Sequence, residues 1–386
     1  MSEKKRVLML ATTAAMIEQF NKNNIDVLNE MGYAVDMIGN FQKGNPISVE
    51  RLDSFKEWIE ERGGHYYDYP ATRSPFDIRN NGKAIKIATN LVKDKKYAFI
   101  HCHNPIGSVI GRIVAHKTGT PIIYTAHGLH FYKGAPIKNW MLYYPVEKFF
   151  SRWTDALLLI NEEDFKLAQE KFHAKKEYLI PGIGIDCNNL FGLRIDREKK
   201  RKELGLNSEE FAFVTVGELI PRKNTESTIK ALAKVKKADN AAYQHMQYLV
   251  CGKGPELENL KKLASQLEVT EHVKFLGFRN DVKEIVLACD AFIFMSHQEG
   301  LSVALMEAMA LGKPIICSRI RGNVDLIIDG VDGRLVDDES GLYSHLIEFY
   351  QNPTAIKKYA ENARRKAERY DSRLIREKIR EVYREF

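Results

Sequence analysis

Short apolar runs alternate with helix-forming stretches along almost the whole chain, and that alternation leaves few architectures open. Residues 7–11, 34–38, 98–103, 121–125 and 156–160 read as buried strands. Helical periodicity marks 16–31, 49–61, 82–93 and 107–118 between them, and 162–171 after the last. Strands this uniformly apolar are covered on both faces, so the series predicts a parallel α/β sheet with right-handed crossovers.

The pattern pauses at Pro181, Gly182, Ile183 and Gly184, a hinge-like run of small and φ-permissive residues, and then restarts. A charged helix at 194–204 leads to strands at 211–216, 247–251, 273–276 and 291–295, with short ones at 315–317 and 333–336. A chain of 386 residues is too long for one core of average size. We therefore expect two Rossmann-like domains, 1–185 and 186–365, facing across a deep inter-domain cleft, with a last helix at about 366–386 packed back on the first.

The formal charge of +7 is spread along the chain without a basic block, which suits an anionic small ligand or a membrane surface and gives no sign of nucleic acid. Five cysteines stand far apart with no Cys-x-x-Cys pair, as in a reducing cytoplasm. Lys4, Lys5 and Arg6 before VLML resemble a signal peptide, but Thr12 and Thr13 break the apolar run, which reads better as a first strand. No segment reaches bilayer-spanning length, so membrane contact is expected to be peripheral.

The chemistry gathers in residues 296–314, SHQEGLSVALMEAMALGKP. An apolar strand, a turn through Gly300, an N-cap at Ser302 and a helix from Val303 make a strand-loop-helix unit of the phosphate-binding type. Glu299 and Glu307 frame it with seven residues between them. A single glutamate is most often a solvated surface group. Glu299, however, sits at a strand's carboxyl end, and Glu307 lies among apolar residues, where a bare charge needs a partner.

Glu299 and Glu307 inside EGLSVALMEAMALGKPIICS, followed by Gly322 and by DGVDG at 329–333, resemble the motif of the retaining glycosyltransferases of family 4, which have the GT-B fold. HCHNPIGSVIGR, YTAHGLHFYKGAPIKNWMLYYPVEK and INEEDF look like the first half of bacterial exopolysaccharide and capsule transferases of the EpsD type. The resemblance implies that Glu299 contacts hydroxyls of the donor sugar and Glu307 the nucleotide ribose, a role suited to a carboxylate accepting from vicinal hydroxyls. Backbone N–H groups at Gly300, Leu301 and Ser302 would face sugar or phosphate oxygens.

It further implies that Lys223, with Arg222 beside it, charges the loop after Gly217 for a diphosphate, and that Phe278 and Arg279 hold the nucleobase. His127 matches a family histidine near the anomeric centre. Where relatives often carry arginine this chain has Glu218, and its first turn, Ala11-Thr12-Thr13-Ala14-Ala15, lacks their glycines. His101, Cys102 and His103 suggest a metal, but adjacent strand residues alternate faces and no matching ligand set appears. The family characteristically needs no metal, and no cofactor is expected.

The expected function is transfer of a hexosyl or N-acetylhexosaminyl group, with retention, from a nucleoside-diphosphate sugar, UDP-linked, to a lipid-linked saccharide in exopolysaccharide or capsule synthesis. Glu299, His127 and Lys223 would be the catalytic residues. A sugar-nucleotide epimerase on the same fold and a non-catalytic nucleotide-sugar binder are the alternatives; a dehydrogenase is weakened because neither half shows Gly-x-Gly-x-x-Gly after its first strand. Residues 140–153 interleave Trp140, Tyr143, Tyr144 and Trp153 with Lys148 and Arg152, a composition suited to a packed helix or to anionic headgroups at the inner face of the plasma membrane.

Overall fold

The computed structural model describes residues 4–386, which form two compact units. The first comprises the chain up to Ile183 together with Arg373–Phe386, and the second is Gly184–Ser372. The division falls where Gly182 and Gly184 both adopt positive φ. The second unit runs past the expected limit of 365 because Ala363, Ala367 and Tyr370 are buried in its own core. Only then does the last helix, Ser372–Tyr383, reach the first unit, burying Ile375, Ile379, Val382 and Tyr383 there.

The first unit is a seven-stranded sheet of β1 (Arg6–Thr13), β2 (Ala34–Asn40), β3 (Tyr66–Asp68), β4 (Ile100–His103), β5 (Ile122–Ala126), β6 (Ala156–Leu159) and β7 (Lys176–Leu179), in the order β3-β2-β1-β4-β5-β6-β7. All its pairings are parallel. Separate apolar clusters cover its two faces, which is why the core of β1 reads as an apolar run; the run of β2 is interrupted by Asp36, whose buried carboxylate is held by Arg6 and Tyr97. The second unit is a six-stranded parallel sheet of β8 (Phe211–Val216), β9 (Met246–Cys251), β10 (Val273–Gly277), β11 (Ala291–Phe294), β12 (Ile315–Ser318) and β13 (Arg334–Val336), ordered β10-β9-β8-β11-β12-β13.

Local departures from the sequence reading have simple causes. The helix expected over 16–31 is two helices, Ala14–Phe20 and Lys22–Glu30, broken at Asn21, which leaves the helical region and whose side-chain amide donates to the carbonyl of Met16. The helix expected from 82 begins at Ile78, because Asp77 accepts from the backbone N–H of Asn80 and caps it. Likewise Asp196 caps Arg197–Glu203, so the charged helix expected over 194–204 starts three residues later, and Asp186 caps a further short helix, Cys187–Gly192, ahead of it. All five cysteines are buried free thiols.

Candidate active site

In each sheet the chain runs outward in both directions from one pair of neighbouring strands, β1/β4 in the first unit and β8/β11 in the second. At such a switch point the loops leaving the two strands diverge and open a crevice at their carboxyl ends. In the second unit β8 delivers Gly217 and then a short 3₁₀ turn, Pro221–Lys223. Its neighbour β11 delivers Ser296 to Leu301 and then the helix Val303–Ala310. Two loops far apart in sequence therefore meet.

They meet on one carboxylate oxygen. The Lys223 ammonium donates to Glu299 Oε1 at 2.7 Å and Arg222 Nη1 to the same oxygen at 2.9 Å. Lys223 is mostly buried and lies 4.8 Å from the centroid of the Phe294 ring, whereas Arg222 is exposed. Two cations against one carboxylate leave an excess positive charge. Water screens Arg222 more than Lys223, so Lys223 carries the stronger local field.

Backbone contacts fix the Glu299 loop. Arg222 Nη1 also donates to the carbonyl of Gln298 at 2.7 Å, His297 N–H donates to the carbonyl of Arg222 at 2.8 Å, and the buried Arg321 donates from Nε to the carbonyl of Glu299 at 3.2 Å. Gly322 presses against the same loop: a Cβ there would lie 2.2 Å from the carbonyl oxygen of Gly300, and its φ is +80°. We expect Gly322→Ala to destabilise the second unit by about 1–3 kcal/mol through overpacking and to displace Glu299. Differential scanning fluorimetry and a transfer assay check this; a variant that matches the parent in both removes Gly322 from this role.

The remaining expected residues divide. Ser302 is buried and caps its helix, accepting from the N–H of Leu305 at 3.3 Å, and Leu301 packs on the core. Glu307 does have a partner, Lys283 at 3.5 Å, but is half-buried and not sealed among apolar residues. Gly217, Glu218, Lys253, Phe278 and Arg279 line a recess of about 340 Å³. Phe278 is exposed there, with the Lys253 ammonium 5.8 Å from its ring centroid.

Arg279 is held by acidic neighbours. Its guanidinium grips Asp281 through two bonds at 2.7 and 2.6 Å and Glu203 through a third at 3.0 Å, so it forms a wall of the recess while its donors are committed within the protein. Arg279 holds the Asp281 carboxyl well below the usual range. Arg321 escaped the sequence reading. For Arg321 the available signal was its place directly before Gly322, past a strand's carboxyl end.

His127 lies in the first unit, just beyond β5, with its Nε2 3.3 Å from His103 Nδ1. His101 and His103 stand two residues apart and so share a face, ring centroids 4.3 Å apart, as strand alternation requires, while Cys102 packs into the apolar cluster on the other face. Both ring nitrogens of His101 are taken, by Tyr383 and Thr125 at 2.8 Å each. Among the described residues no group of three or more His, Cys, Asp or Glu is arranged to hold a metal ion.

Burial pushes His127 down to about 4 and His101 to about 3, and it lowers His103 as well. His127 is thus a neutral hydrogen-bonding group at neutral pH. The unfolded chain takes up protons at these rings below about pH 6.5 while the folded chain does not until near pH 4 or lower, so stability falls as pH drops through that window. Urea midpoints at pH 7.5, 6.5 and 5.5 should decline in that order; a flat series would show that these rings are not held neutral.

The fold and the switch-point cluster define a two-unit α/β enzyme of the GT-B type. Residues 6–161 match the family model described as glycosyl transferase 4-like, and 196–366 match that of glycosyl transferases group 1. The chain is 30% identical to the glycosyltransferase EpsD of Bacillus subtilis (strain 168) over 98% of its own length and 96% of that protein. It is 29% identical to UDP-Gal:alpha-D-GlcNAc-diphosphoundecaprenol alpha-1,3-galactosyltransferase of Escherichia coli over 64% of each. In fold it is similar to Anabaena HepE, crystallised with UDP, at a TM-score of 0.77 and 21% identity over the whole of both chains. The chain belongs to the GT4-like glycosyltransferases and is a glycosyltransferase enzyme.

Proposed function

We propose that the chain moves a hexosyl or N-acetylhexosaminyl group, with retained configuration, from a UDP-sugar to a lipid-linked saccharide in exopolysaccharide or capsule synthesis. The observation that carries the reading is the convergence of Lys223 and Arg222 on Glu299 at the β8/β11 switch point. Paired cations beside a carboxylate suit a sugar diphosphate: the cations take the phosphates and the carboxylate takes sugar hydroxyls. The E. coli galactosyltransferase, named for a UDP-galactose donor, and the complex of HepE with UDP support the choice of uridine.

In this reading charge develops on the departing diphosphate, and Lys223 stabilises it where it forms, with Arg222 assisting. Glu299 orients the sugar, Glu307 takes the ribose, and the recess walled by Phe278 and Arg279 takes the base. His127, neutral, donates or accepts a hydrogen bond near the anomeric carbon. Retention follows front-face substitution, in which the leaving phosphate accepts the acceptor's proton and no protein nucleophile is needed. The two cations supply the positive charge, so the reaction requires no metal.

The test is incubation with a panel of UDP-hexoses and UDP-N-acetylhexosamines and a short-chain polyprenyl-diphosphate saccharide, with and without chelator. Mass spectrometry identifies the product and proton NMR its anomeric configuration. Sugar transfer with retention is expected. Epimerised donor without transfer, or inverted product, would sink the reading.

A further inference from the structure

The helix Ile137–Ser151 is built inside out. Its inward side carries a buried ion pair, Glu147 with Arg112 of the neighbouring helix Pro105–Thr118 at 2.8 Å, and the arginine lies against the rings of Tyr124 and Phe150. Trp140 and Tyr144 also turn inward, onto Phe131. The aromatic rings that stand out in the sequence are thus mainly packing. What faces solvent is apolar and mainly aliphatic: Ile137 at 77% exposure, Met141 at 74% and the one ring Phe149 at 49%, with Leu142 and Val146 beside them. At about 100° per residue these positions, with exposed Lys138 and Arg152, fill one half of the helix circumference, and no acidic residue interrupts them.

A second apolar point lies on the same side of the sheet. Phe76 and Ile78, each 79% exposed, sit at the start of the helix Ile78–Lys95, flanked by exposed Arg73 and Arg79. That helix and the helix Ile137–Ser151 contribute to one apolar cluster on one face of the sheet. Each begins at the carboxyl end of the strand before it, the edge that also carries His127.

We infer that this face docks the first unit on an anionic lipid bilayer, with Ile137 and Met141 entering the interface and Lys138, Arg152, Arg73 and Arg79 meeting the headgroups. An apolar arc with cations, whose one neighbouring carboxylate, Asp77, is engaged in capping its helix through Asn80, is complementary to such a surface. A second copy of the chain would bring like charges together. A helix of 15 residues is moreover about 22 Å long, so its exposed half offers roughly 350–400 Å², well below the about 800 Å² per partner of a stable dimer. Contact is peripheral, since no helix among the described residues is long and apolar enough to cross a membrane. The inference deepens the reading of a lipid-linked acceptor and rests on it for its purpose.

The test is flotation of the full chain with phosphatidylcholine vesicles, with and without phosphatidylglycerol. Binding is expected only with the anionic lipid and should weaken with salt. Ile137→Ser with Met141→Ser should lower the bound fraction about tenfold or more, and Lys138→Glu less, while UDP binding by thermal shift stays at the parent's level. No binding to anionic vesicles, or parental binding by the double variant, overturns the inference. So does a dimer in sedimentation that the double variant abolishes while vesicle binding is unchanged. Docking without transfer to any acceptor would count against the acceptor reading and leave the docking face standing.

Discussion

Lys223→Ala lowers kcat for sugar transfer by about 10²–10³ without unfolding the protein. The fold survives because Glu299 keeps Arg222 at 2.9 Å, so no carboxylate is left buried without a cation. The rate falls because a mostly buried ammonium, backed by the Phe294 ring, is worth far more to a leaving diphosphate than an exposed one. The loss should appear mainly in kcat, since diphosphate charge grows as the glycosidic bond breaks. Arg222→Ala, at a more exposed position, should cost several times less. Steady-state kinetics on purified variants decide the point. A kcat for Lys223→Ala within threefold of the parent would show that the leaving group is stabilised elsewhere.

The ranking of these two cations was not legible in the sequence. RK at 222–223 gives two adjacent basic residues, and nothing local says which is sheltered. Shelter comes from β11, whose Phe294 underlies Lys223, and the pairing of β8 with β11 is a property of strand order. Strand existence was legible where burial is two-sided: the core of β1 is an unbroken apolar run, and β8 is interrupted only by Thr215. It was not legible for β7, an edge strand reading KEYL and paired only with β6. The helix Glu339–Gln351 was missed for a related reason, because ESGLYSHL mixes turn-forming and apolar residues before its periodicity emerges.

The site was legible as a motif and less so as geometry. EGLSVALMEAMALGKP located Glu299, the cap at Ser302 and Glu307, because capping and charge spacing are local. The supports of the loop are remote: Arg321 and Gly322 come from the end of β12 and touch the carbonyls of Glu299 and Gly300. Arg279 shows the opposite case. Asp281, two residues on, stands in plain view in the sequence as a local partner for its guanidinium.

Glu299→Gln separates the two jobs that meet at one oxygen. The carboxylate pairs with both Lys223 and Arg222, so a diphosphate seeking those cations must compete with it. Removing the charge removes the competitor, and UDP should bind at least as tightly as to the parent. Transfer should collapse all the same. A carboxylate accepting from two sugar hydroxyls makes two charge-assisted bonds of about 1.5–3 kcal/mol each, and an amide keeps at best one neutral acceptor, so the rate should fall by about 10²–10⁴. Glu299→Ala should lose as much. Isothermal titration with UDP alongside transfer kinetics tests both halves. If UDP affinity instead drops tenfold with the rate, Glu299 acts by holding Lys223 in place, and positioning of the sugar belongs to another group.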